Sequence, residues 1–189
     1  MKKFLALFLA VIFCFTLLCS CSKRTEGAPD GMKAVESSDK LDYNLYIPAH
    51  WTQDLSTGVV SAYVNNSDLS NISMMQGNNE KMEKLDTIVE EYIKSLSSNI
   101  GLGKDENGKL TDTFKMAEGY PEKCTLNGVE ARKLQYSATV SGADYTFMQI
   151  ICSKGGNVYY FTYTALTDNF ETNMEDVQKV IDNFAFKKK

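Results

Sequence analysis

Residues 129–165 constrain the fold most tightly. Three runs at about 129–140, 144–153 and 157–165 are rich in Val, Ile, Thr, Tyr and Phe, and short links carrying Ser141-Gly142-Ala143 and Ser153-Lys154-Gly155-Gly156-Asn157 separate them. β-branched and aromatic residues favour a pleated, half-buried backbone, and glycine-bearing links of this length suit hairpins. The segment therefore predicts a three-stranded antiparallel meander.

The rest of the chain adds strands first and then a helix at each side of that meander. Leu41, Tyr43, Leu45 and Ile47 alternate with other residues as in a half-buried strand that Pro48 ends, and Gly58–Val64 and Ile72–Met75 read as two further strands around the turn-rich Asn65-Asn66-Ser67-Asp68. Leu85, Ile88, Val89, Tyr92, Ile93, Leu96 and Ile100 recur every three or four residues, which puts them on one helix face, with Gly101 as the stop. Residues 101–112 read as loop by composition. Thr172 and Glu175 have capping-box spacing and predict a second helix turning Met174, Val177, Val180, Ile181 and Phe184 inward. The expected fold is α+β, an antiparallel sheet of about six strands flanked by helices.

The N-terminus supplies an address. Met1-Lys2-Lys3 precedes an uncharged apolar run from Phe4 to Leu18, closed by Cys19-Ser20-Cys21. A short cationic head, an apolar stretch and a small residue before the cut form the layout of a secretory signal, and the ending resembles a bacterial lipobox. That resemblance implies removal of residues 1–20 and lipid on Cys21, the new N-terminus. The competing reading is an uncleaved anchor, because about 18 apolar residues sit at the lower limit for spanning a bilayer. Either way the remainder lies outside the cytoplasmic membrane. Residues 21–40 are polar and include Gly27-Ala28-Pro29-Asp30-Gly31, so they read as a flexible tether with a reach on the order of 23 Å. The expected domain is 41–189.

The 189-residue chain carries 20 Lys and Arg against 24 Asp and Glu, a formal charge of −4, and becomes more acidic once Lys2 and Lys3 leave. Phosphate-backbone binding needs a basic surface, so nucleic acid is not an expected partner. Cys14 and Cys19 leave with the leader and Cys21 takes lipid, so only Cys124 and Cys152 remain in the domain. With a turn at 141–143, position 152 faces roughly position 132, about eight residues or 26 Å along the strand from Cys124. A bridge needs Cα atoms within about 7 Å. Free thiols are the expectation, and a disulfide is the alternative.

Tyr43-Asn44-Leu45-Tyr46-Ile47-Pro48 followed by Trp51, then an early amphipathic helix, Asn127-Gly128-Val129 before a strand, the long meander and a closing helix ending Asn183-Phe184 together resemble the PsbP-like fold. The similarity covers about residues 40–187 and points to its bacterial lipoprotein branch, similar to DcrB-type proteins. It implies an α/β/α sandwich and a non-enzymatic role. No binding residue carries over from it.

Chemistry is sparse. His50 is the only histidine, which leaves no nucleophile-base pair and no clustered metal ligands, so no catalytic residue, metal or cofactor is expected. Asp105-Glu106-Asn107-Gly108-Lys109 superficially resembles a calcium loop, but lysine stands where an oxygen ligand is needed. Asn65 and Asn71 head glycosylation-type triplets and read as turn residues, and Glu90-Glu91 falls on the polar helix face. Tyr136, Tyr145, Phe147, Tyr159, Tyr160, Phe161 and Tyr163 crowd the meander. Neighbours on a strand point to opposite faces, so one of Tyr159 and Tyr160 is a candidate contact on a partly covered face. Trp51, which the resemblance packs against the sheet, joins that candidate surface where it is exposed.

The reading is a lipid-anchored extracytoplasmic module that binds an unidentified envelope protein or small ligand. Solute delivery to a transporter and envelope hydrolysis are the rivals. One domain of about 150 residues lacks two lobes for hinge closure, and the missing acid-base set counts against hydrolysis.

Overall fold

The computed structural model describes residues 27–36, 41–54, 59–100, 102–104 and 110–188. Early in the chain come β1 (Met32–Ala34), β2 (Tyr43–Asn44), β3 (Tyr46–Pro48), β4 (Thr52–Asp54), β5 (Val60–Tyr63), β6 (Asn71–Asn78) and helix α1 (Leu85–Asn99). Short strands β7 (Leu102–Lys104), β8 (Leu110–Asp112), β9 (Lys115–Met116) and β10 (Glu122–Leu126) follow. The meander is β11 (Val129–Val140), β12 (Ala143–Lys154) and β13 (Asn157–Leu166); a 3-10 turn over Thr167–Asn173 leads into α2 (Met174–Asp182) and β14 (Ala185–Phe186).

The meander forms as its sequence predicts. It sits within an antiparallel sheet of eight strands, ordered β10-β11-β12-β13-β6-β5-β4 with β9 also on β11, where the sequence suggests about six. Pairs such as Tyr136 with Phe147 and Ile151 with Tyr160 fix the register. A one-residue slip would move every side chain of a strand to the opposite face and into the wrong core.

Helices cover the two faces. Ile88, Val89 and Leu96 of α1 pack on Leu134, Tyr136, Ile151 and Val158. Val177 and Val180 of α2, with Phe184, join Tyr43, Leu45, Ile47, Trp51, Phe161 and Tyr163 on the other face. Apolar burial at about 25 cal/mol per Å2 makes these two cores the main stabilising term.

Four expectations change. Met32–Ala34 is not tether, because it pairs with β3 and both Met32 and Val35 are buried; the folded unit begins before residue 41. The single strand expected over 41–47 is divided, since β2 pairs with β14 while β3 pairs with β1. Positions 102–104 and 110–112 form a two-stranded hairpin instead of loop, while Gly101 and Asp105–Lys109 lie outside the described residues. The Thr172 capping box is not made: α2 takes Asn173 as N-cap with no side-chain cap bond. The 3-10 turn running into α2 replaces a free helix start, so its first N–H groups need no hydroxyl.

Two polar devices fasten α1 to the sheet. Asn79 is buried, donates to Glu83 O and Ser153 Oγ at 3.1 Å each, and accepts from Glu83 N at 2.9 Å. Arg132 has a side chain only 6% exposed and is held by Asp86 at 2.8 Å and Glu130 at 2.9 Å, both largely exposed. Removing both carboxylates leaves a buried guanidinium with only the Ala131 carbonyl. The double variant Asp86→Ala, Glu130→Ala is expected to lose about 3 kcal/mol in urea unfolding, whereas Arg132→Met should lose under about 1.5 kcal/mol, because its packing survives without a charge to desolvate.

Candidate functional site

Strand parity sends Tyr159 and Tyr160 to opposite faces. Tyr159 is a core residue, 2% exposed, and its hydroxyl donates to Asp42 Oδ2 at 2.5 Å. Burial first, then that hydrogen bond, push its pKa up to about 12. Trp51 is 1% exposed, with its backbone carbonyl accepting from Lys33 Nζ at 2.6 Å. Both therefore leave the candidate contact surface, because the α2-side core covers them.

Tyr160 remains. It lies in a row running Arg132, Ile151, Tyr160, Met75 across β11, β12, β13 and β6. Cover by α1 falls along this row. Ile151 is fully buried, Tyr160 half-buried with its ring 5.1 Å from that of Tyr92 on α1, and Met75 is 44% exposed. The next row is polar at the helix edge: Gln149, buried, accepts from Tyr136 Oη at 3.2 Å and donates to Tyr92 Oη at 2.8 Å and Thr162 Oγ1 at 2.9 Å. Beyond that line the same row reaches Ser73 and Ser61. A helix 15 residues long spans about 22 Å at 1.5 Å per residue, and it crosses β11 to β13 without covering β5 and β6.

At that uncovered end Val59, Gly77 and Tyr160 line a cleft of about 340 Å3 together with Leu41, Val60 and Met74, which belong to the α2-side core. A neighbouring hollow of about 430 Å3 shares Val59 and adds Tyr63 and Leu69. Val59, Leu69 and Met75 are exposed hydrophobics gathered around these two openings. Clefts of this size, apolar with a few polar groups, suit a small ligand or a partner's side chain.

Other residues singled out in the sequence sit elsewhere. His50, 63% exposed, meets Asp176 of α2 at 3.2 Å. Among the described residues no group of three or more His, Cys, Asp or Glu could hold a metal. Asn65 Oδ1 accepts from Ser67 N and Asp68 N, shaping its turn, while Asn71 opens β6. Glu90 and Glu91 are exposed on α1. Cys124 and Cys152 are free thiols, but the register differs from expectation, since both face Ala131 from opposite sides. Strand β10 folds back at Asn127-Gly128, both at positive φ, and so brings Cys124 two strand spacings, about 10 Å, from Cys152. That still exceeds disulfide reach. Burial first, then Cys124, push the Cys152 thiol up to about 12, so it is a packing group rather than a nucleophile.

With this architecture in hand, the family follows from a match of residues 26–186 to the model described as PsbP-like protein. The chain belongs to the PsbP-like family. Comparison with curated proteins found no match. This PsbP-like chain is similar in structure to cyanobacterial PsbP from Synechocystis sp. PCC 6803, at 12% identity and TM-score 0.56 over 85% of this chain and 95% of that one. It is also similar to a Pseudomonas aeruginosa protein of unknown function, at 14% identity and TM-score 0.50 over 80% and 94%. A third likeness is to LpqN of Mycobacterium tuberculosis, described as involved in cell envelope biogenesis, at 15% identity and TM-score 0.45 over 85% and 81%. At these identities the likenesses concern the fold alone. Among the described residues no helix is long and apolar enough to cross a membrane.

Proposed function

We propose that this PsbP-like protein is a non-catalytic binding module of the cell envelope, held at the membrane by lipid on Cys21 and working by contact through the Tyr160 cleft. The observation that carries the reading is the gathering of Val59, Leu69 and Met75 around adjoining openings on β5 and β6, where α1 stops short. Exposed apolar side chains scattered singly need no explanation, whereas a cluster beside a cleft marks a contact site. Tyr160 adds a ring and a hydroxyl, a combination frequent at binding hot spots.

The occupant that fits best is a short apolar segment of an envelope protein. Ser73 and Asn71 line the neighbouring hollow next to apolar walls, a mix suited to a peptide. The test is a photoreactive residue at Met75, with a control at Glu175, which is exposed on the opposite side of the sheet. In intact cells the Met75 probe should give one discrete protein adduct, reduced several-fold by Tyr160→Ser. Equal adducts from both positions would count against the cleft, and turnover of an envelope substrate by the pure protein would count against a purely binding role.

A further inference from the structure

A third hollow, on the opposite face from Tyr160, has the chemistry of an anion site. It encloses about 400 Å3 between Asp42, Asn127, Lys154, Asn157, Tyr159 and Phe186, and Lys187 and Lys188 complete its rim. Strand β14 builds it. Pairing of Ala185 and Phe186 with β2 sets the Phe186 ring edge-on to Tyr159 at 4.9 Å, and Lys187 N donates to Asp42 O at 2.8 Å.

Three lysines and one carboxylate belong to its lining. Lys154 holds its ammonium 4.8 Å above the Phe186 ring, a position that leaves N–H donors turned toward solvent or ligand. Asp42 is the unusual member. Its Oδ2 accepts from Tyr159, while Oδ1 is buried with no partner among the described residues. A buried carboxylate oxygen without a donor is costly. A ligand that fits must therefore bring negative charge for the lysines, a donor for Asp42 Oδ1 and a short carbon stem to lie against Phe186.

We propose that this hollow binds a small phosphate ester bearing a hydroxyl or ammonium group, such as a glycerol phosphate or ethanolamine phosphate unit, whether free or as a lipid headgroup. Lysine ammoniums act as point charges toward phosphate. The aspartate selects a donor carried on the carbon stem, apart from the phosphate, which inorganic phosphate lacks because its O–H groups sit on phosphorus itself.

Calorimetry on the detergent-extracted full chain tests this with glycerol 3-phosphate, inorganic phosphate and dihexanoyl phosphatidylglycerol. The ester should bind more tightly than inorganic phosphate. Lys154→Gln with Lys188→Gln should weaken both about tenfold or more, whereas Asp42→Asn should tighten inorganic phosphate by removing a like charge from the hollow and weaken the ester about tenfold relative to it, the range expected for one charge-assisted hydrogen bond. Tighter binding of the short-chain lipid than of the free ester assigns the site to headgroups, and the reverse assigns it to soluble esters. Absence of heat from every phosphate compound, or equal binding by wild type and the lysine variant, overturns the proposal. Lys154 lies on the exposed end of β12, so that variant keeps the fold even if Asp42→Asn does not.

Discussion

Trp51→Ala is expected to destabilise the domain by about 3–5 kcal/mol, the usual cost of deleting a large buried ring and leaving its cavity. Trp51 is 1% exposed and lies among Tyr43, Leu45, Ile47, Val180 and Phe184 in the larger core. At roughly 2–4 °C per kcal/mol for a domain of this size, the melting point should fall by about 6–20 °C. The indole Nε1 is buried without a hydrogen-bond partner among the described residues, so Trp51→Phe discards an unsatisfied donor along with part of the ring. Its loss should be clearly smaller, under about 2 kcal/mol, because the missing volume is offset by the removed polar penalty. A shift of one or two degrees for the alanine variant would place Trp51 on the surface instead.

The second large effect is all-or-none. Cys21→Ser removes the sulfur that a lipobox protein needs for acylation, and each methylene of an attached chain contributes about 0.8 kcal/mol to bilayer binding. One chain holds a protein only reversibly, while two or three anchor it. The variant is therefore expected to accumulate as an unprocessed precursor. Chase experiments on labelled cells should show wild type maturing to a form about 20 residues shorter, the length implied by a cut before Cys21, with the variant unshifted.

Legibility in the sequence followed local periodicity. The β11 to β13 meander and both helices could be read because strand alternation, glycine-bearing turns and a three-four apolar spacing all agree within single segments. Short strands at the margins were missed. Met32-Lys33-Ala34 has linker composition, and only its pairing with Tyr46–Pro48 makes it structure. Glu122–Leu126 contains a single fully buried residue, Leu126, so no alternation marks it, although Asn127-Gly128 is a strong hairpin signal on its own. The hairpin at that turn, a pairing between strands, is what brings Cys124 near Cys152.

The site divided in the same way. That Tyr159 and Tyr160 face opposite ways follows from parity alone. Which of them is covered depends on where α1 and α2 end over the sheet, a tertiary fact with no local signature. Asp42 carries no signal at all until β13 and β14 bring Tyr159 and Lys187 to it.

The most direct test of a membrane-held module is the mass of its mature N-terminus. Protein extracted from membranes with mild detergent and digested should yield an N-terminal peptide that begins at Cys21 and carries a diacylglycerol, with or without an added amide-linked acyl chain. Recovery of a peptide beginning at Met1, or of an unmodified Cys21, would contradict the account.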